Sequence, residues 1–222
     1  MGPIRDAILH SRHGEAVIDA RSTLTFLRQW LRNPAKMAAV SPSGRQLARL
    51  MIEQLPEDCS SVVELGAGTG VFTHALLDAG IEPSQLLVVE INPDLVHFLR
   101  ERFPGVKVVC ADARHVDALA NQHELSSQGG VDAMISGLGM LTMNSGLRLA
   151  ILRAAFAALG DDGRFIQFTY GPFSPVRRRE REALDLRVQR AGFALRNLPP
   201  ANVFVYQRCR SHEIASVRQS KR

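Results

Sequence analysis

At 222 residues and 45% hydrophobic, the chain is long enough for one domain with a large core and too apolar for a disordered one. It holds no apolar run near the ~20 residues a membrane-crossing helix needs, and its charged N-terminus does not read as a secretory signal, so the expected compartment is the cytoplasm. The net charge of +5, carried mainly by arginine, fits an anionic partner such as nucleic acid, a phosphate-bearing molecule or a membrane, and fits equally a solvated arginine-rich surface.

Residues 1–16 read as a polar arm, and residues 17–33 have helical periodicity. Asn33-Pro34 ends that helix, because proline disfavours a helical residue before it. The loop 38–44 leads to a second helix through about Leu55, with Ser43 and Gln46 at capping-box spacing. From Ser61 strands and helices alternate. Strand 61–65 is followed by a glycine-rich turn and a helix to about Asp78, and strand 86–90 by a helix to Arg102 that begins at Asn92 or Asp94. Strands 106–110 and 131–136 follow, then a helix over 145–159, a turn at Asp162-Gly163 and a strand over 164–170. Arg178–Arg190 reads as a charged helix. Residues 193–198 and 202–208, separated by Pro199-Pro200-Ala201, read as an antiparallel hairpin. The alternation predicts an α/β fold: a doubly wound, mainly parallel, seven-stranded Rossmann-like sheet with an antiparallel C-terminal hairpin and N-terminal helices. Its ligand belongs at the carboxyl ends of the strands. The expected division is an arm with helices over 1–56, a catalytic domain over 57–210 and a tail over 211–222. Cys59, Cys110 and Cys209 are too scattered for a disulfide framework or a zinc site, and the scattered histidines give a metal no support. Cys110, closing an apolar run, reads as a small core residue.

The strongest signal is Glu64-Leu65-Gly66-Ala67-Gly68-Thr69-Gly70 at a strand-to-helix junction. A dinucleotide site follows GxGxxG, whereas here the third glycine comes one residue early. Glu64, just before the turn, would repel a pyrophosphate and suits a cationic ligand. The methionyl part of S-adenosylmethionine carries an ammonium and a sulfonium, so its chemistry matches. Glu90, ending the second strand, is placed to accept hydrogen bonds from two ribose hydroxyls. Asp112, flanked by Ala111 and Ala113 after the third strand, is a candidate for the adenine amino group or a simple helix cap.

With these residues the sequence resembles the class I S-adenosylmethionine methyltransferases. More narrowly it resembles the soluble bacterial phospholipid N-methyltransferases, which convert phosphatidylethanolamine to phosphatidylcholine. The narrower likeness rests on residues 26–44, 135–140 and 167–176, and on the late hairpin around Pro199-Pro200-Ala201. It implies S-adenosylmethionine as cofactor, held by Ser41, Glu64, Gly66, Ala67, Gly68, Gly70, Glu90, Ile91, Asp112, Ala113 and Ser136. It implies a lipid acceptor bordered by Gly137, Leu138, Tyr170, Phe173 and Arg177. The loop over 38–44 is expected to close over the methyl donor, and Ser43 fits a helix cap better than a direct ligand. One departure stands out: the family's Ser-Gly-Leu-Pro loop reads here Ser136-Gly137-Leu138-Gly139. Losing that proline should loosen a loop beside the transferred methyl. Ribosomal RNA adenine dimethyltransferases carry an asparagine and an aromatic in this loop, and this chain has neither, so no nucleic-acid partner is expected.

On a helical wheel Arg21, Arg28 and Arg32 form one stripe, opposite Phe26, Leu27, Trp30 and Leu31. Such a helix suits an anionic membrane interface and also suits packing on the domain. With the likeness, it places the enzyme on the inner face of the cytoplasmic membrane. Tyr170, ending the fifth strand, is the candidate catalytic residue: it would orient the headgroup and, with Phe173, favour a methylated cation. It equally suits a tyrosine filling a sheet edge. The alternatives are an ornithine-lipid or rRNA adenine N-methyltransferase, and a non-enzymatic membrane-binding protein with a vestigial fold.

Overall fold

The computed structural model describes residues 42–125, 129–195, 197 and 199–209. The expected helix with Arg21, Phe26, Arg28, Trp30 and Arg32, the loop residue Ser41, and the tail over 211–222 lie outside them.

The described chain begins with helix α1 (Pro42–Ile52). It continues β1 (Val62–Leu65), α2 (Val71–Asp78), β2 (Leu86–Glu90), α3 (Pro93–Arg102), β3 (Lys107–Cys110), α4 (Val116–Gln122), β4 (Val131–Ser136), α5 (Ser145–Ala158) and β5 (Leu159–Thr169). Short α6 (Arg178–Glu182) then leads to β6 (Leu186–Ala194) and β7 (Ala201–Arg208). The seven strands form one sheet in the order β3-β2-β1-β4-β5-β7-β6. The β1, β2, β3, β4 and β5 pairings are parallel, and β7 runs antiparallel between β5 and β6. The predicted architecture is thus the observed one.

The central strands are apolar on both faces because helices cover both. Val62, Val88, Ile135 and Ile166 face one core layer with Leu47, Met51, Phe72, Leu76 and Leu99. Val63, Leu65, Met134 and Phe165 face the other with Ile151, Leu152 and Ala155. Helix α1 packs against α2 and β6. The strand order turns back between β1 and β4, so the carboxyl ends of these two strands mark the switch point at which sheets of this kind bind their ligands.

Local choices explain the element ends. Asn92 begins α3 by accepting the amides of Asp94 (2.9 Å) and Leu95 (3.4 Å). Asn144 does the same for α5 through Leu147 at 2.9 Å. Helix α1 already includes Ser43, so Ser43 is not its N-cap.

Four expectations need correction. The charged helix over Arg178–Arg190 stops at Glu182. Asp185 takes the left-handed conformation (φ 50°), the chain turns, and Leu186–Ala194 becomes an edge strand. Leu186 and Val188 pack in one core layer, Ala191 and Ala194 in the other, and a register shift between Arg190 and Gly192 accompanies the change of face. The hairpin's first arm accordingly begins at Leu186 and ends at Ala194. The turn placed at Asp162-Gly163 lies inside β5, which begins at Leu159 where Leu159 pairs with Val131 and the register is irregular. Cys110 is exposed, because β3 is the other edge of the sheet.

Candidate functional site

The segment after β1 turns through three glycines with positive φ: Gly66 at 70°, Gly68 at 57° and Gly70 at 81°. Two of them also allow close approach. A Cβ on Gly66 would lie 2.8 Å from Leu138 Cδ2, and one on Gly70 would lie 2.4 Å from the Phe103 ring. A side chain at Gly137, after β4, would stand 2.5 Å from the Gly66 carbonyl oxygen. The glycine turn and the post-β4 loop thus meet backbone to backbone, and the Gly137 amide donates to the Leu65 carbonyl at 2.8 Å.

Glu64 is fully buried beneath this turn. The Thr73 hydroxyl on α2 donates to its Oε2 at 2.6 Å, while its Oε1 has no hydrogen-bond partner. Burial pushes the Glu64 carboxyl up to about 7; the Thr73 bonds oppose this and the nearby Glu90 charge adds to it. A buried oxygen without a donor is costly, and a cation or N–H donor satisfies it.

Glu90 joins the first and second loops. Its Oε2 accepts the Gly68 amide at 3.0 Å, and its Oε1 accepts those of Ile91 (2.9 Å) and Asn92 (3.0 Å). A carboxylate accepts roughly four hydrogen bonds, so Oε2 keeps room for about one more. Ile91, next to it, is 69% exposed at the rim.

The remaining candidates spread along the same rim. Ala67 is buried in the glycine turn, and Ser136 is fully buried at the end of β4. Asp112 accepts the Arg114 amide (2.8 Å) and grips the Arg114 guanidinium at 2.8 and 3.0 Å, beginning the short turn that contains Ala113. Hydrogen bonding to Arg114 holds the Asp112 carboxyl below its ordinary value. Leu138 packs against the second core layer. Tyr170 directly follows β5, with its ring edge-on to Phe168 at 5.4 Å, and Phe168 in turn meets Phe72 at 5.7 Å. Burial raises the Tyr170 phenol and a hydrogen bond with Asn197 lowers it; burial prevails. Phe173 is 80% exposed. Arg177 is also exposed, with its backbone amide donating to Glu180 at 2.7 Å.

Several residues that position these groups were not singled out from sequence. Arg102 donates to the Thr69 carbonyl in the glycine turn at 3.1 Å and lies over the Phe98 and Phe103 rings. Gln167 donates to the Leu138 carbonyl at 3.0 Å, and Asn202 to that of Gly171 at 2.9 Å. Arg148, buried on α5, donates to Met140 and Met143 and pairs with Glu180. One signal for it was legible: of the two arginines on α5, Arg148 falls on the same apolar stripe as Ile151, Leu152 and Ala155, whereas Arg153 lies off it and is exposed.

Comparison with known proteins gives consistent results. A family described as a methyltransferase domain matches residues 62–163. An ornithine lipid N-methyltransferase of Singulisphaera acidiphila is 30% identical over 183 residues, covering 81% of this chain and 92% of the relative. Among solved structures, a TehB-like SAM-dependent methyltransferase from Corynebacterium glutamicum superposes with a TM-score of 0.57 at 18% identity, over 85% of this chain and 99% of that one. The 1,6-didemethyltoxoflavin-N1-methyltransferase of Burkholderia thailandensis, solved with that substrate and S-adenosylhomocysteine, gives a TM-score of 0.56 at 16% identity, over 92% and 94% of the two chains. At these identities the two structures speak to the fold.

Proposed function

This chain belongs to the class I S-adenosylmethionine-dependent methyltransferases, and we propose that it methylates the amine of a membrane lipid. Phosphatidylethanolamine and its methylated intermediates, leading to phosphatidylcholine, are the acceptors read from residues 135–140 and 167–176. Likeness along most of the chain to an ornithine lipid N-methyltransferase carries the lipid part of this reading and makes ornithine lipid the second candidate.

S-adenosylmethionine supplies an electrophilic methyl on a sulfonium. Glu64, with its unpartnered buried Oε1, is suited to face one of that molecule's cationic groups. The glycine turn lets the backbone approach, and Glu90 is left to accept from the sugar through Oε2. Ile91, Asp112, Ala113 and Ser136 border the remainder of the donor site in this reading, with Ser41 closing it. No oxyanion forms when a neutral nitrogen takes a methyl, so the work of the site is alignment. The acceptor ammonium must first lose a proton, and a partly apolar wall of Leu138, Tyr170 and Phe173 lowers its pKa by desolvation. Tyr170, held as a neutral phenol, orients the headgroup rather than acting as a base. The exposed Arg177 suits the lipid phosphate.

No helix among the described residues is long and apolar enough to cross a membrane. We place the enzyme peripherally on the inner face of the cytoplasmic membrane, through the stripe of Arg21, Arg28 and Arg32 and the apolar Phe26 and Trp30. The deciding experiment supplies radiolabelled methyl donor with vesicles of phosphatidylethanolamine, vesicles of ornithine lipid, or ribosomal RNA. Label in phosphatidylethanolamine supports the first reading, and label in ornithine lipid alone replaces it with the second. Label in RNA overturns both. Unchanged vesicle co-sedimentation after Arg21, Arg28 and Arg32 are all changed to Glu refutes the membrane stripe.

A further inference from the structure

Arg148 and Glu180 are both almost fully buried, at 4% and 3% side-chain exposure, and their contacts reach two loops. The guanidinium meets Glu180 Oε1 through Nη2 at 2.7 Å and through Nε at 3.1 Å, and Oε2 through Nε at 3.2 Å. Its remaining arm, Nη1, donates to the Met140 carbonyl at 3.2 Å and the Met143 carbonyl at 2.5 Å. Glu180 also accepts from the Ser145 hydroxyl and from the Arg177 amide, each at 2.7 Å. Burial works to raise the Glu180 carboxyl, and these donors outweigh it, so it stays ionised below its ordinary value. One end of the pair therefore holds the post-β4 loop, and the other holds the residue where the post-β5 segment enters α6.

Burying two charges is a poor route to stability, since hydrophobic residues of similar volume often serve as well. A planar guanidinium does offer fixed geometry, with donors in several directions at once. The post-β4 loop needs such an anchor, because Gly139 leaves its backbone without the restraint of a proline ring. Its carbonyls at Leu138, Met140 and Met143 are instead held from below by Gln167 and Arg148.

We propose that Arg148 is a positioning residue which, through Glu180, fixes the post-β4 loop and the post-β5 segment as one unit and so aligns the acceptor without contributing to methyl-donor affinity. The proposal rests on the reading that these two loops border the acceptor.

The test uses the full chain with Arg148→Lys, which keeps the charge but not the fork, and Glu180→Gln, which keeps the shape but not the charge. Amide hydrogen exchange, the affinity for S-adenosylhomocysteine, and KM and kcat with aminolipid vesicles are measured on each. Exchange should quicken by about tenfold in 138–143 and 173–177 together, while the glycine turn and the S-adenosylhomocysteine affinity stay within about twofold. With the aminolipid that the wild type accepts, kcat should fall on the order of 10- to 100-fold, as expected of misalignment, with a smaller change in KM. Quickening in only one segment, in neither, or in step with lost S-adenosylhomocysteine affinity overturns the proposal, as does unchanged kcat. If Arg148→Lys does not fold, Glu180→Gln decides by the same measures. If the wild type methylates no aminolipid, the lipid reading fails, and the exchange pattern with the affinity decides the coupling of the two loops.

Discussion

The Thr73 hydroxyl donates to Glu64 at 2.6 Å, tying the first strand to the helix that follows the glycine turn. This bond satisfies one carboxylate oxygen and leaves the other for a ligand. With the Glu64 carboxyl at about 7, ionised Glu64 grows with pH through neutrality. Affinity for S-adenosylmethionine should therefore rise between about pH 6 and pH 8 and then level off. Binding near pH 7 should release protons, which calorimetry in buffers of different ionisation heat will detect. Glu64→Gln should remove the pH dependence and weaken binding by roughly 10- to 100-fold, or about 1.4–2.8 kcal/mol.

The same group gives the ligand-free protein a pH-dependent stability. The folded state holds the Glu64 proton more tightly than an ordinary carboxyl of pKa 4.5. Its stabilising contribution is complete below about pH 4.5 and is lost as pH rises through about 7. Thermal unfolding of the wild type, minus that of Glu64→Gln, should show this loss across the window. A difference curve that climbs with pH would contradict it.

Glu90 holds three backbone amides, so Glu90→Ala should cost stability as well as cofactor affinity. At about 1–3 kcal/mol for a polar group left unsatisfied, the melting temperature should fall by roughly 2–12 °C. Glu90→Gln keeps one acceptor oxygen and should lose less stability while still binding S-adenosylhomocysteine more weakly. Calorimetry and thermal melts separate the two effects.

Gly137→Ala would set a methyl 2.5 Å from a backbone oxygen that has little room to move. The expected loss is about 1–3 kcal/mol, with weaker S-adenosylhomocysteine binding as the glycine turn is pushed away. Gly80→Ala is the contrast: φ is +94° there but nothing lies within 4 Å. It should cost about 1–2 kcal/mol through backbone strain alone and leave binding unchanged.

Much of this was legible in the chain. The strands over 61–65, 86–90, 106–110 and 131–136 are short apolar runs between turn residues, and such runs are fixed by burial on both faces. Glu64 and Glu90 were legible because each sits at a fixed offset from a strand end. Arg187 to Arg190 was misread because charge in a window favours helix, whereas its partner β7 lies later in the chain and sets the strand. The Arg148–Glu180 pair spans 32 residues, and no local pattern joins two residues so far apart. The three amides that Glu90 accepts belong to backbone, which carries no sequence mark, so its role in joining two loops was not legible.

The misread segment also acts at the margin of the sheet. Along β6 the exposed positions Arg187, Gln189 and Arg190 line a strand that, among the described residues, has a neighbour on one side only. Bulky charge there is a gatekeeper against edge-to-edge assembly, and the register shift at Arg190/Gly192 bends the border further from a flat template. Replacing Arg187 and Gln189 with valine would preserve strand propensity while inviting fibrillar association, a hazard the native polarity deters.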